Sequence, residues 1–189
     1  MAETHRSRRL AAITIGAAIM LAACTDRGAG TGDTGMAAGP GALTDANIVY
    51  ILDAANKVDS AAGSIAATKG TNSEVREYGQ MMARDHHQLR QQGQELATRL
   101  GVTPAPPAGD TAQAHFDKTM AMLNGAAKGR DFDKAYMDHE VAYHKVVLET
   151  ATAAMAAAQN AELKNLIQKA APVIQGHLDR AQAVQANLQ

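Results

Sequence analysis

The chain has 189 residues, with 18 Lys+Arg against 19 Asp+Glu for a formal charge of −1, and only 3% of its residues are aromatic. Without a basic excess or stacking aromatics it lacks the features of a nucleic-acid-binding domain. Cys24 is the only cysteine, which excludes an intramolecular disulfide.

Residues 1–23 read as a targeting segment: Arg6, Arg8 and Arg9 form a basic region, Leu10 to Met20 is apolar, and small residues follow. The apolar run is shorter than the roughly 20 residues that span a bilayer. Leu21-Ala22-Ala23-Cys24 resembles the lipobox of bacterial lipoproteins, which implies cleavage before Cys24 and a lipid on its sulfur. The alternative is a secreted protein with an incidental cysteine. Thr25 is not the aspartate that favours inner-membrane retention in lipoprotein sorting, so the resemblance implies an outer-membrane anchor facing the periplasm. Ser7-Arg8-Arg9-Leu10 touches the twin-arginine export pattern, but the following residues do not continue it. Removing residues 1–23 takes away three basic residues and one acidic one, leaving 15 Lys+Arg against 18 Asp+Glu.

Residues 24–42 are mostly Gly, Ala, Thr and Pro, a composition that buries too little apolar surface to order itself and predicts a flexible tether. The folded domain is expected over 43–189, a normal size for one domain.

From Leu43 onward, apolar residues recur at three- and four-residue steps, which predicts helices. The first covers about 44–69, with Thr44 as N-cap, a stripe of Ile48, Ile51/Leu52, Ala55, Val58, Ala62 and Ile65, and Gly70 at its end. Thr71-Asn72-Ser73-Glu74 has capping-box spacing and opens a second helix that reaches Leu100 on Val75, Tyr78, Met82, Leu89 and Leu96. Pro104, Pro106 and Pro107 begin a long connection that holds a shorter amphipathic helix at about 111–124. A helix at about 131–158 carries Phe132, Tyr136/Met137, Val141, Val147/Leu148, Ala151 and Met155. A last one, at about 161–187 behind an Asn160 cap, carries Leu163, Leu166/Ile167, Ala170, Ile174, Ala181 and Val184 and should bend at Pro172. Four long helices joined by two short links and one long one predict an all-α four-helix bundle of ferritin-like topology, with a short extra helix inside the crossover.

Each stripe is interrupted near its middle by a group that binds protons or metals. Asp59 interrupts the first, His86 the second with Asp85 beside it, His144 the third with Glu140 one turn earlier, and His177 the fourth. At about 1.5 Å of rise per residue these positions fall within about one turn of a common height. Each such group costs about 1–3 kcal/mol if it is buried without a partner, so the layer must bond internally, hold water or hold a cation. Neutral imidazole and carboxylate suit zinc, iron, manganese or copper. Asp59, His86, His144 and His177 are therefore the candidate metal ligands, with Asp85 and Glu140 as supporting or alternative ones. A hydrogen-bonded layer that only fixes helix register is the competing reading.

Dinuclear carboxylate bundles use Glu-x-x-His on two helices. That spacing is absent from this layer, which favours a histidine-rich mononuclear site over a ferroxidase-type centre. His87 and His139 fall beside the stripes, where solvated or partly exposed positions are expected. Met81, Met82, Met120, Met122 and Met137 could ligate Cu(I), but methionine at helical spacing is usually core filler.

The segment Val75-Arg76-Glu77-Tyr78-Gly79-Gln80-Met81-Met82-Ala83-Arg84-Asp85-His86, then Phe132-Asp133-Lys134-Ala135-Tyr136-Met137-Asp138 with His144, then Glu162-Leu163-Lys164 leading to Pro172 and His177, resembles a large family of exported bacterial proteins. Its members are labelled predicted outer membrane protein or domain of unknown function and grouped with ferritin-like folds. The likeness covers about 45–187. Where that family often has Glu in the first helix, this chain has Asp59. The resemblance implies fold and export and brings no established reaction. Two functions follow as expectations: a lipid-anchored, metal-binding bundle with a role in metal handling or stress, or a non-enzymatic envelope interaction module.

Overall fold

In the computed structural model, residues 43–188 are described. The expected targeting segment 1–23, Cys24 with its expected lipid, and the expected tether through residue 42 lie outside the described residues. Five helices follow in order: α1 (Asp45–Lys69), α2 (Ser73–Leu100), α3 (Ala112–Gly125), α4 (Arg130–Ala157) and α5 (Ala161–Asn187). None of them is long and apolar enough to cross a membrane.

The ends form for local reasons. Thr44 and Asn47 make a reciprocal capping box at the start of α1, and Asn160 accepts from Glu162 and Leu163 N–H groups at the start of α5. The capping box expected at Thr71 is absent. Asn72 is the N-cap of α2, and the Thr71 hydroxyl donates instead to Asp133 of α4. The buried Asp133 carboxylate also accepts the Thr71 and Asn72 backbone N–H groups, at 2.9 and 2.8 Å, and so fastens the α1–α2 turn to the first turn of α4. Helix α5 runs without a break through Pro172.

Contacts at the helix ends establish the topology. Asp45, at the start of α1, accepts from the backbone N–H groups of Gln159 and Asn160 in the α4–α5 link. At the opposite end Asp133 holds the α1–α2 turn, and Asn187 and Arg180 of α5 reach Glu74 of α2. Helices α2 and α4 therefore run in the same direction, and the connection between them must return along the bundle. Helix α3 makes that return: Tyr50 bonds Asp110 before it, and Lys69 donates to the Leu123 and Asn124 carbonyls at its end. This is the single-crossover arrangement expected of a ferritin-like bundle.

The pair α1–α2 approaches to backbone contact. A Cβ built on Gly63 would lie 2.6 Å from the Gly79 carbonyl oxygen, and one built on Gly79 would lie 2.7 Å from the Ala67 nitrogen.

The apolar core falls into two clusters. One gathers Ala62, Ala66, Val75, Tyr78, Met82, Phe132 and Ala181 toward the α1–α2 turn; the other gathers Ile48, Val49, Leu96, Ala154, Leu163 and Ile167 toward the α4–α5 link. Asp59, His86, His144 and His177 fall between these clusters in position along their helices, Glu140 lies one turn before His144 beside Val141 of the first cluster, and all five are buried. Met155 departs from the expected stripe: it is 40% exposed, and Ala154 takes its place in the core.

Candidate metal centre

Each of the four long helices contributes to the polar layer: Asp59 from α1, His86 from α2, Glu140 and His144 from α4, and His177 from α5. The three imidazoles form a near-equilateral triangle, with ring centroids 5.1 Å apart for His86–His177, 5.5 Å for His86–His144 and 5.7 Å for His144–His177.

Every ring has one nitrogen tied to an acceptor, which decides where its proton sits. Asn56 donates its amide to the Leu52 carbonyl, which turns its Oδ1 toward His86 Nδ1 at 2.8 Å. Since that oxygen only accepts, His86 carries its proton on Nδ1. His144 Nδ1 lies 3.0 Å from the Glu140 backbone oxygen and must likewise donate. His177 Nε2 lies 3.1 Å from the Asp85 carboxylate, so its proton is on Nε2. The lone pairs are thereby left on His86 Nε2, His144 Nε2 and His177 Nδ1, and these three buried nitrogens have no hydrogen-bond partner. Ligand atoms of the three residues lie within 4.8 Å of one another. A histidine with one nitrogen anchored by a hydrogen bond and the other left free to ligate is the pattern by which proteins orient histidine ligands.

Burial keeps these rings neutral. It holds His86 well below the usual histidine range, with His144 and His177 adding like-charge repulsion. It lowers His144 to about 4, with His177 again contributing. It lowers His177 as well, against the opposing pull of Asp85. A neutral imidazole is the form that binds metal.

A second group overlaps the first: Asp59, Glu140 and His144 also present ligand atoms within 4.8 Å of one another. Both carboxyl groups are fully buried, and all four of their oxygens lack a hydrogen-bond partner. Burial drives Asp59 well above the carboxylate range. Burial and then the neighbouring Asp59 charge do the same to Glu140, opposed by the nearby hydroxyls of Tyr136 and Tyr78. The Tyr136 hydroxyl nevertheless makes no well-formed bond, and Tyr78 donates to the His177 carbonyl at 3.3 Å. The closest imidazole–carboxylate approaches are His144 Nδ1 to Glu140 Oε2 at 3.4 Å and His86 Nδ1 to Asp59 Oδ2 at 3.5 Å.

The structure thus brings Asp59, His86, His144 and His177 into one layer and places Glu140 within it. Asp85 stands outside, orienting His177 and paired with Arg84 at 2.8 Å. Asn56 has the same orienting function toward His86 and escaped the sequence reading because it lies off the apolar stripe. His87 is exposed. His139 is half-buried, its ring stacked on Tyr143 at 5.3 Å with His115 of α3 on the same tyrosine at 4.9 Å. Only the path of the crossover reveals that second histidine pair. The methionines do not converge here: Met82 and Met137 are core, and Met122 is 40% exposed.

Chemically, three neutral nitrogen donors beside two carboxyl groups form a donor set for a borderline transition metal such as Cu(II), Zn(II) or Fe(II). Five buried polar side chains gather in this layer, two of them carboxyl groups and three imidazoles. The chain belongs to the family described as "Domain of unknown function (DUF4142)", which it matches over residues 31–184. No curated protein matches it in sequence. Among solved structures it is similar to "CopM in the Cu(II)-bound form", at a TM-score of 0.59 and 12% identity over 77% of this chain and 98% of that one, a likeness of fold.

Proposed function

We propose that this protein binds one divalent transition-metal ion, copper(II) first among them, through His86 Nε2, His144 Nε2 and His177 Nδ1. Asp59 or Glu140 completes the coordination and balances its charge. The observation that carries this reading is the forced tautomer of each ring: three bonds leave an unpartnered lone pair on each of three buried imidazoles whose ligand atoms lie within 4.8 Å of one another. Copper comes first because it heads the affinity order for nitrogen ligands and because a protein of similar fold has been solved with Cu(II). The same reading makes the protein a metal-handling component of the cell envelope, held to the outer membrane by lipid on Cys24 and facing the periplasm.

A register-fixing layer is the second reading, supported by the bonds from Asn56 to His86 and from Asp85 to His177, each of which crosses between helices. It leaves three nitrogens and four carboxyl oxygens buried without partners, at about 1–3 kcal/mol each, and a metal accounts for those atoms.

Elemental analysis of purified protein after copper loading, beside a folded His144→Ala/His177→Ala variant, tests the proposal. About one ion per chain in the parent and loss in the variant are expected. A folded parent that takes up no metal would refute it and leave the register reading standing.

A further inference from the structure

Asp59, His86, His144 and His177 are all buried, so an ion that binds in the layer has to pass the wall of the bundle. A cavity of about 60 Å³ reaches one side of the layer, lined there by Asp59 and His86 and, farther along α1 and α2, by Asn56, Asp53 and Arg90. Asp53 and Arg90 are partly exposed and pair at 2.9 Å. The same two residues line an open groove on the outside, where Lys57 of α1 faces Gln113 and Phe116 of α3. Two other surface grooves border the cavity, one through Leu52, Ala55 and Val147 and one through Leu89, Leu166 and Ala170. Those borders are aliphatic, and the Asp53–Arg90 border is polar.

Sequence spacing makes this border the outer end of a polar seam. Asp53, Asn56 and Asp59 follow at three-residue steps on α1, and His86 and Arg90 at a four-residue step on α2, so each set shares a helix face. The two faces meet in pairs: Arg90 donates to Asp53 at 2.9 Å, His86 Nδ1 to Asn56 at 2.8 Å, and His86 Nδ1 lies 3.5 Å from Asp59 Oδ2. A hydrated divalent cation crossing an aliphatic border would lose water that nothing replaces. Along the seam, carboxylate and amide oxygens replace it in steps of about one turn. Asp53 suits the first step, because Arg90 and Gln94 both donate to its Oδ1 and neither donates to its Oδ2. Arg90 opposes that step, since its positive charge stands at the mouth and must leave Asp53 for a cation to take its place.

We infer that the α1–α2 seam is the entry path for the metal ion, with Asp53 as its transient outermost ligand and Arg90 as a gate that the cation displaces. This rests on the metal binding proposed above and adds a route to it. Neither residue belongs to the final coordination, so the pair sets how fast the ion exchanges in both directions and leaves unchanged how tightly it is held.

Stopped-flow mixing of the metal-free full chain with Cu(II), followed by tyrosine fluorescence quenching, gives the uptake rate. Transfer of the bound copper to excess chelator gives the release rate, and equilibrium titration gives the affinity. Arg90→Ala should speed uptake and release alike by about 3- to 10-fold, the scale of a partly exposed ion pair and its charge, at unchanged affinity. In that background, with no pair left to break, Asp53→Asn should slow both by a similar factor. Both positions are partly exposed, where losing an ion pair costs the fold little. Rates unmoved by Arg90→Ala would overturn the entry path while leaving metal binding intact. So would faster uptake without faster release, the result expected of a surface charge that only steers the ion. A folded parent that takes up no copper at equilibrium would overturn both.

Discussion

At the scale of the residue, the proposed metal site is built from groups that lower the stability of the metal-free protein. Asp59 and Glu140 have no hydrogen-bond partner for either oxygen, so replacing them with apolar residues of similar shape removes an uncompensated cost. Asp59→Leu and Glu140→Leu should each raise the metal-free stability by about 1–3 kcal/mol in urea denaturation and weaken metal uptake; a layer that serves only register would instead lose stability. Asp85→Asn should leave the fold intact and weaken metal binding about 10–100-fold in titration, because it loosens the group that orients His177.

The pH response belongs to the same residues, and its two parts oppose each other. His144, lowered to about 4 from 6.5, contributes stability that is whole above 6.5 and is lost as pH falls toward 4. Alone that loss is on the order of 3 kcal/mol. Asp59 and Glu140, raised by burial, contribute stability that is present below their unfolded values and is lost as pH rises. In the metal-free parent the slopes partly cancel between pH 4 and 6.5. An Asp59→Asn/Glu140→Gln variant should therefore show a steeper rise in urea midpoint over that range than the parent does.

At the scale of the element, the helices were readable because apolar spacing and caps act within a few residues: Thr44, Gly70 and Asn160 all stand at helix ends in the expected places. The polar layer was readable for a related reason, since His86, His144 and His177 each interrupt a regular stripe. Asp133, Asn56 and the Gly63–Gly79 contact were not, because their partners lie on other helices and depend on rotation and register that no local pattern encodes. His115 meets Tyr143 only because α3 lies back along the bundle. Gly79→Ala should cost about 1–3 kcal/mol in thermal or urea unfolding, since its methyl would press on the α1 backbone. The same exchange at the uncrowded Gly93 should cost nothing.

At the scale of the whole molecule, the single crossover lets α2 and α4 run parallel, which sets His86 and His144 at the same depth from the same direction. Two hairpins alone would not hold that depth. Asp45 at one end and Asp133 at the other clamp the hairpins together, and the two apolar clusters then close on the layer from both sides. The bundle is in this sense a frame whose ends are bonded so that its middle can carry polar groups with nothing to bond.

X-ray absorption spectroscopy of the copper-loaded protein tests the three-histidine centre most directly, because imidazole rings bound to a metal scatter in a recognisable way and can be counted. Three imidazoles per copper, with one fewer in a folded His144→Ala variant, is the predicted result. Copper bound by fewer than two imidazoles, or a spectrum unchanged by that substitution, would contradict it.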